Sequence, residues 1–445
     1  MQMRIFFSLA FLSLFFGIRA QDMTAPLLSG SWQSTFTNPA LLHRLDGKLT
    51  IGLPGLHSEF TTSDFSYNDL ISEDESGEFF DANRAISNLD VRNELRNEFS
   101  FETVGFAWRG DKLALGFSHR NRFTGLVDLP KTLIQTVYQG NAQFIGETID
   151  IAPYFQLTSI NEFNFSAALQ ISDVLSVGGT LKYLSGAADA RAEGGEILLT
   201  TSDDVYQLTL QPDYVINSSN TLDYNGVDDL SVDIDPARFN LDNLGRNSGI
   251  GFDVGVALDF DNFRLQASAL DLGGSIDWTE DVTILRLTGD NDFEGLDIIR
   301  ELLDDSTSFD GILDTLEGIF DPLEVKEDYS TSTGSTYLLG GEFDLTDQLM
   351  LGALLRYQDY GLNNEVTAAL SARYLFADFL SVGGIYSYRP NSPANIGVNA
   401  VLALGPVNLL LATDNVITIF NPKDAKQASA RLGLSLSFGR GDNDE

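Results

Sequence analysis

Six pairs of alternating segments, each pair joined by a connection of two or three residues, constrain the fold of this 445-residue chain most strongly. Apolar side chains recur at every second position, which is the period of a β-strand with one apolar and one small or polar face. The connections are mostly polar, Gly or Pro, as β-hairpins require. The predicted hairpins are 97–108 with 112–120, 161–171 with 175–185, 249–260 with 263–272, 335–345 with 349–357, 365–376 with 380–388, and 394–404 with 407–413.

A first segment at 48–53 and a last segment at 427–438 bring the predicted strands to fourteen, twelve from the hairpins plus these two. The last segment reads QASARLGLSLSF, with Leu432, Leu434 and Leu436 on one face and Arg431 on the other. Its length suits a tilted membrane-spanning strand, which needs roughly 9–11 residues. Because lipid does not tolerate an open sheet edge, we expect this strand to pair with the first.

The connections between hairpins are much longer than the turns within them. They span 54–96, 121–160, 186–248, 273–334, 358–364, 389–393 and 414–426. Strict alternation of short and long connections places every short turn on one side of the sheet, as in outer-membrane barrels with short periplasmic turns and long external loops. The sequence therefore predicts an all-β protein of the outer membrane, a transmembrane antiparallel β-barrel of about 14 strands over 48–438.

The segments outside the predicted barrel have simpler interpretations. A basic start, an apolar run at 5–18 and Ala20 predict a signal peptide over 1–20. Residues 21–47 then form a plug-like, hatch-like segment ahead of the first strand, and 439–445 form a periplasmic tail. Cleavage after Ala20 removes two of the 27 basic residues, so 25 bases against 64 acids give a net charge of −39. Such acidity argues against nucleic acid as a partner, and the absence of cysteine excludes disulfides.

Charged residues of both signs occupy positions predicted to face the lumen. They are Lys182, Asp253, Arg264, Glu342, Arg356, Arg373 and Arg431. Mixed charge indicates internal ion pairs and not a wide ion-selective pore. The alternative is that these residues simply stabilise a packed interior.

The strand at 97–108 changes its alternation partway along. Phe99 and Phe101 stand at odd positions, whereas Phe106 and Trp108 stand at even ones. A shift of one residue near 104–105 restores all four aromatic residues to the lipid-facing side. The pattern therefore predicts a β-bulge there.

The connection at 273–334 contains apolar residues at helical spacing. We expect two short amphipathic helices that pack on the barrel rim as a lid, or that offer a landing site for a hydrophobic ligand. The residues of this predicted lid are Phe293, Leu296, Ile299, Phe309, Ile312, Leu316 and Phe320.

The same connection resembles a calcium-binding loop in its spacing of acids. Asp290, Asp292, Glu294 and Glu301 fall at positions 1, 3, 5 and 12 of an EF-hand loop, with glycine at position 6. Asp297 stands where an apolar residue is usual, and an acid-rich loop matches the spacing easily. We therefore predict no cofactor, with Ca²⁺ as the alternative.

The sequence offers little for catalysis. Ser118 and His119 are neighbours on a predicted strand, so their side chains point to opposite faces. Nucleophilic serine chemistry needs the base within hydrogen-bond reach of the hydroxyl. The sequence therefore predicts a protein that is not an enzyme.

Fourteen strands preceded by Asn38, Pro39 and Ala40 resemble the FadL family of long-chain fatty-acid transporters. That family has a fourteen-stranded barrel with an N-terminal hatch that carries an Asn-Pro-Ala motif, and its superfamily includes PorV-type barrels. The chain also resembles an uncharacterised outer-membrane family of bacteria with type IX secretion. This second resemblance rests on TNPALL (37–42), LTIGLPGL (49–56), FSYNDLI (65–71), LPKTLIQTVYQGN (129–141), VGGTLKYLSG (177–186), LLLATDN (409–415) and LGLSLSFGR (432–440).

Two functions follow from the resemblance. In the first, the barrel binds or takes up hydrophobic small molecules, with the hatch in its lumen. In the second, it is a scaffold whose acidic external loops bind secreted or surface proteins. The expected partners are outer-membrane lipid together with either a hydrophobic ligand or such a protein.

Overall fold

The computed structural model describes residues 23–439 except 64, 76, 193, 204–206, 225–229, 233–244, 290, 295–321, 360–363 and 391. Fourteen long strands form one closed antiparallel barrel. They are β1 Leu49–Thr62, β2 Arg92–Arg109, β3 Leu113–Pro130, β4 Tyr154–Gln170, β5 Leu175–Ala192, β6 Ser248–Asp259, β7 Phe263–Trp278, β8 Ser335–Asp344, β9 Leu349–Asp359, β10 Asn364–Ala377, β11 Leu380–Arg389, β12 Ser392–Leu404, β13 Val407–Thr413 and β14 Gln427–Phe438.

The barrel closes where the sequence predicts. Strand β1 pairs with β14 from Leu49 opposite Phe438 to Thr61 opposite Gln427, and its other edge pairs with β2. All six predicted hairpins are confirmed, and their short turns lie at one end of the barrel. Closure joins the first strand to the last, which is the condition for a sheet to stand in lipid.

The outer face of the wall is apolar and carries aromatic residues toward both ends. Trp108 and Phe379 are exposed near the short turns, and Tyr357 and Tyr388 are exposed toward the external end. Between them the exposed wall residues include Phe165, Leu169, Ile250, Phe252, Val254, Val398 and Leu411. An apolar band between two aromatic girdles is the lipid-facing surface of an outer-membrane barrel, and the protein belongs in that membrane.

The predicted β-bulge is present in β2. Glu102 pairs with Arg120 while Val104 pairs with His119, so Thr103 is the extra residue. Among the described residues, no helix is long and apolar enough to span a membrane.

Several strands run beyond their predicted external ends, and the connections above them hold further β-structure. Strand β3 was expected to end at 120 but continues to Pro130, and β5 continues to Ala192. The external strands are Ile71–Asp74, Gly77–Phe80, Thr148–Asp150, Gly195–Thr201, Gln207–Ser219, Leu222–Tyr224, Leu230–Val232, Val282–Thr288, Asn291–Glu294, Leu323–Val325 and Tyr329–Ser332. The α-helices are Tyr67–Leu70, Ala82–Asn88, Lys131–Gln139 and Ile417–Phe420.

The external strands have an apolar core of their own. It comprises Phe144, Ile149, Ala152, Ala192, Ile197, Leu199, Leu208, Leu210 and Tyr214. Part of this core was visible in the sequence, since Leu208 and Leu210 alternate with polar residues. The external region is therefore a folded sheet built on the barrel and differs from the loops predicted there.

Residues Met23–Leu45, which we call the plug, lie inside the barrel. They form the 3₁₀-helices Ala25–Leu27, Trp32–Phe36 and Pro39–Arg44. Trp32 is buried against β1 and β2 at Gly52 and Gly105, where a Cβ atom would lie only 2.4 Å and 2.0 Å from indole atoms. Glycine at these two positions lets the indole lie flat on the wall, so the plug is fixed near the short-turn end.

A charge on the outer face tests the position of the barrel relative to the bilayer. Leu432→Arg places a cation near the bilayer midplane and is expected to lower the free energy of unfolding by ~2–4 kcal/mol, whereas Phe438→Arg at the interface costs ~0–1 kcal/mol. The measurement is a guanidinium titration of the protein folded in lipid vesicles. Equal losses for the two variants would contradict the assigned membrane position.

The contact between Trp32 and Gly105 makes a second prediction. Gly105→Ala overpacks the indole and is expected to cost ~1–3 kcal/mol. Trp32→Ala removes the indole and should abolish most of that cost in the double variant, because the clash then has no partner. Unfolding titrations of both single variants and the double variant measure the coupling. Gly384→Ala is the control, since the nearest atom to its Cβ would be 4.0 Å away. Purely additive losses of unfolding free energy would show that Trp32 does not pack against Gly105.

Candidate functional site

The Asn-Pro-Ala motif holds the base of the plug on β6 and β7. The Asn38 Oδ1 atom accepts a hydrogen bond from the Ala40 amide at 3.0 Å, which caps the helix that Pro39 begins. Its Nδ2 atom donates to the carbonyl oxygens of Val256 at 3.1 Å and Ala267 at 3.3 Å. One side chain thus caps a plug helix and joins it to two wall strands.

The motif also needs close approach to the wall. A Cβ on Gly178 of β5 would lie 2.5 Å from the Ala40 nitrogen, and one on Gly255 of β6 would lie 1.9 Å from the Asn38 Oδ1 atom. Both glycines therefore leave room for the plug backbone. The plug base, Trp32–Arg44, is accordingly held by tight packing on one side of the lumen.

A network of ion pairs runs along the inner face of the wall from β3 to β7. Lys182 Nζ lies 2.9 Å from Asp253 and 2.7 Å from Asp271. Arg122 lies 2.9 Å from Asp271 and 3.3 Å from Glu162, which also pairs with Arg120. Three cations and three carboxylates balance, and their mutual pairing offsets the cost of removing them from water.

Two further ion pairs link distant strands on the opposite side of the lumen. Arg389 pairs with Glu59 of β1 at 2.7 Å, and Arg431 pairs with Glu102 of β2 at 3.3 Å. These bonds join β11 to β1 and β14 to β2. They tie together the strands around the closure of the barrel.

A third group lies beside the plug at the short-turn end. Arg264 is 2.6 Å from Asp344 and 3.6 Å from Glu342, and Arg373 is 3.7 Å from the same Glu342. The Ser29 hydroxyl of the plug donates to Glu342. The plug thereby joins the ion-pair network of the wall.

The structure places six of the seven predicted lumen charges in these pairs. They are Lys182, Asp253, Arg264, Glu342, Arg373 and Arg431, while Arg356 donates to the Gln358 side chain. Sequence reasoning did not find Glu162 and Asp271 within predicted strands, Glu102 at the bulge, or Glu59 and Arg122 in stretches predicted to be loops. Their signal was alternation continuing past the predicted strand ends, as in Arg120 and Arg122.

An apolar patch interrupts the ionic lumen on the inner face of β7–β11. We call it the lumen patch; it consists of Leu270, Leu338, Leu354, Ala369 and Ile385, all buried. Met23 and Leu27 of the plug pack directly on it. Its sequence signal was weak but present, because Leu338-Leu339 and Leu354-Leu355 put apolar side chains on both faces of a strand.

The plug tip, Met23–Leu28, is held over this patch by a carboxylate at the end of β13. The Thr24 hydroxyl donates to Asp414 Oδ1 at 2.7 Å, and the Met23 amide donates to Oδ2 at 3.3 Å. Gln266 Nε2 donates to the Pro26 carbonyl. The tip therefore rests mainly on apolar contacts and a few hydrogen bonds, and a Cβ on Gly352 of β9 would also lie only 3.1 Å from the Leu27 side chain.

A cavity of about 250 Å³ opens beside the plug near the turns 345–348 and 378–379. Its lining includes Leu28, Trp32, Met350, Arg373 and Phe379. Leu28 is also the last residue of the plug tip. The tip thus contacts the lumen patch through Met23 and Leu27 and lines the cavity through Leu28.

The predicted lid and calcium loop lie mostly outside the described residues. These comprise Leu296, Ile299, Phe309, Ile312, Leu316 and Phe320 of the lid, and Asp290 and Glu301 of the loop. The predicted helix does not begin at Phe293, because Asn291–Glu294 is a strand that pairs with residues 207–210. Asp292 and Glu294 share that strand, so their main chain is extended and not in an EF-hand loop. Within the described ranges, no three acids or histidines group as metal ligands.

Ser118 and His119 lie on opposite faces of β3. The Ser118 hydroxyl accepts a hydrogen bond from Asn164 inside the lumen at 3.3 Å. The His119 ring packs outside on Phe163, with ring centres 4.5 Å apart. The two side chains therefore lack the contact that a nucleophile and its base require.

Comparisons with solved structures return outer-membrane barrels. The toluene transporter TbuX of Ralstonia pickettii is 12% identical, with a TM-score of 0.46, over 95% of this chain and 100% of that one. A mutant of the monoaromatic hydrocarbon channel TodX is 12% identical, with a TM-score of 0.49, over 92% and 95%. A FadL homologue of Pseudomonas aeruginosa is 10% identical, with a TM-score of 0.43, over 94% and 97%.

Sequence comparison places the chain in a family. No curated protein sequence matches it. The model of a family of unknown function, DUF5723, matches residues 39–414, which is 376 of 445 positions. The chain therefore belongs to the DUF5723 family.

Proposed function

We propose that the protein is a plugged outer-membrane channel that binds small hydrophobic molecules in its lumen and carries them across the membrane. The observation that supports this most directly is the lumen patch beneath the plug tip. A polar, ion-paired lumen has no structural need for a continuous apolar surface covered by a removable segment. A binding site for an apolar ligand has that need.

The plug is unevenly attached, which supports movement of its tip alone. The base is locked by Trp32 on two glycines and by the three hydrogen bonds of Asn38. The tip rests on the lumen patch and on Asp414. Segments with few main-chain bonds open at lower free energy than the packed elements around them. The tip can therefore leave while the base stays.

A ligand would take the place of Met23 and Leu27. Those side chains cover the patch, and a hydrophobic molecule would restore the burial lost when they leave, at ~25 cal/mol per Å² of apolar surface. The carboxylates and cations near the patch already bond to one another. This arrangement favours neutral, apolar ligands over ions.

The site also has an exit. Leu28 lines the cavity of about 250 Å³ at the short-turn end, and the preceding Leu27 packs on the lumen patch. Withdrawal of the tip would join the two spaces and give a bound molecule a path beside the plug toward the periplasm. The plug base need not unfold for this step.

A scaffold for secreted or surface proteins is the second candidate. The folded external sheet, with its apolar core around Leu199, Leu208 and Tyr214, supports it, because a simple channel does not need such a structure. In that function the plug would only fill the lumen. Binding of a type IX secretion substrate and of Ca²⁺ would belong to the external region.

Matched substitutions on one strand test the channel. Leu354 belongs to the lumen patch. Its neighbour Leu355 faces lipid, with 47% of its surface exposed. Leu354→Ser is expected to abolish stoichiometric binding of an apolar molecule, with toluene as the probe, while Leu355→Ser retains it. Native mass spectrometry of gently extracted protein measures the bound mass.

Equal binding by both variants would contradict the lumen patch as the site. A co-purifying protein with an empty lumen in the unaltered chain would favour the scaffold. A difference in gel mobility between heated and unheated samples confirms that each variant is a folded barrel before binding is compared.

Release of the tip makes a further prediction. Asp414→Ala removes both hydrogen bonds to the tip and is expected to speed toluene entry into vesicles that carry the protein, because the covered patch opens more often. Asp424→Ala is the control, as the Asp424 carboxylate accepts hydrogen bonds from Asn68 and Asn421 of the external region. Unchanged or slower entry in Asp414→Ala would show that the tip does not gate the lumen.

A further inference from the structure

Strand β13 is unusually short for its place in the wall. It has 7 residues, whereas β12 and β14 on either side have 13 and 12. Seven residues rise ~24 Å along a strand, and a tilt of ~40° reduces this to ~18 Å across the membrane. The apolar band of such a barrel is ~25 Å tall. The chain after Thr413 therefore starts below the external surface of the bilayer.

The next residues stay within the wall. The Val416 amide donates to the Ile396 carbonyl of β12 at 2.7 Å. Asn415 Nδ2 donates to Asn395 Oδ1 at 3.1 Å and to the Gln427 carbonyl of β14 at 3.4 Å. One amide side chain thus bridges the strands that β13 has ceased to separate. Such pairing is what polar groups at membrane depth require.

The Ile417–Phe420 helix follows immediately, and its apolar side chains point away from the protein. Ile419 is 62% exposed and Phe420 is 84% exposed. Ile396, beside Val416, pairs with Tyr386, whose exposed ring marks the external aromatic girdle. The helix therefore begins at the height of the girdle and continues the lipid-facing surface.

We propose that the Ile417–Phe420 helix is an anchor in the outer leaflet of the membrane, and that its seating in lipid holds the plug tip in place. The occupant of its apolar face is lipid. The surface is continuous with the apolar wall, and at this height apolar side chains meet acyl chains and the headgroup boundary. This inference does not depend on the proposed function.

The connection between lipid and plug is short. Only Asn415 and Val416 separate the helix from Asp414, whose carboxylate holds Thr24 and the Met23 amide inside the lumen. Asn415 fixes this segment to both neighbouring strands. Because these bonds hold the segment between Asp414 and the helix in one geometry, we expect displacement of the helix from lipid to distort that segment and weaken the hydrogen bonds of Asp414 to the tip.

Spin labels on single cysteines locate the helix, since the chain has no cysteine of its own. The label at Phe420→Cys is expected to be relaxed by oxygen as strongly as one at Val398→Cys on the lipid-facing wall. A label at Val91→Cys in the external region, where Val91 is 80% exposed, should respond instead to a water-soluble nickel complex. A Phe420 label that behaves like the Val91 label, in reconstituted membranes, would overturn the anchor.

Thiol labelling of Met23→Cys tests the coupling. Adding Phe420→Asp should drive the helix toward water and raise the labelling rate of the buried thiol severalfold, whereas Val91→Asp should leave the rate unchanged. Phe420→Ser, a milder change, should give an intermediate rate. An unaltered rate with the helix displaced from lipid would overturn the coupling, whatever the protein transports.

Discussion

The antiparallel pairing of β1 with β14 is the interaction on which the rest of the structure depends. Hydrocarbon offers no partner for a main-chain amide or carbonyl, so a sheet can stand in a membrane only when its first and last strands meet. Here they meet along eleven paired residues, from Leu49 opposite Phe438 to Thr61 opposite Gln427. Once the wall is closed, the outer face must be apolar, and the polar face of every strand turns inward.

Closure creates the second constraint, a lumen too wide for wall side chains alone to fill. The protein fills the lumen in two ways, by ion pairs between wall side chains and by packing of the plug. Ion pairs such as Lys182 with Asp253 and Asp271 neutralise one another across strands, and the plug occupies the remaining space. Where the plug backbone touches the wall, glycine replaces side chains. Where the plug tip touches it, the wall is mainly apolar and the contact is made by the side chains of Met23 and Leu27.

This difference between the two ends of the plug links structure to function. A plug held tightly along its whole length would keep the barrel permanently closed, and a plug held loosely along its whole length would leave an open pore. In the proposed channel, a fixed base with a separable tip would let a small space open while the ion pairs stay intact. The tip is held at Asp414, next to the point where β13 stops short and the chain meets lipid.

The sequence by itself determined the barrel, its strand count and the placement of the short turns at one end, because period-two alternation and the sorting of short and long connections are local properties of the chain. It also indicated the bulge and some of the inward charges, since facing follows from parity along a strand. It misjudged the external region, where strands such as Gln207–Ser219 pair with partners far along the chain. Only the tertiary structure decided which charges pair, that Gly52 and Gly105 receive Trp32, and that Leu270, Leu338, Leu354 and Ile385 form one patch under Met23. These contacts join residues from many strands, and alternation fixes the face of each residue but not its height or its neighbour across the lumen.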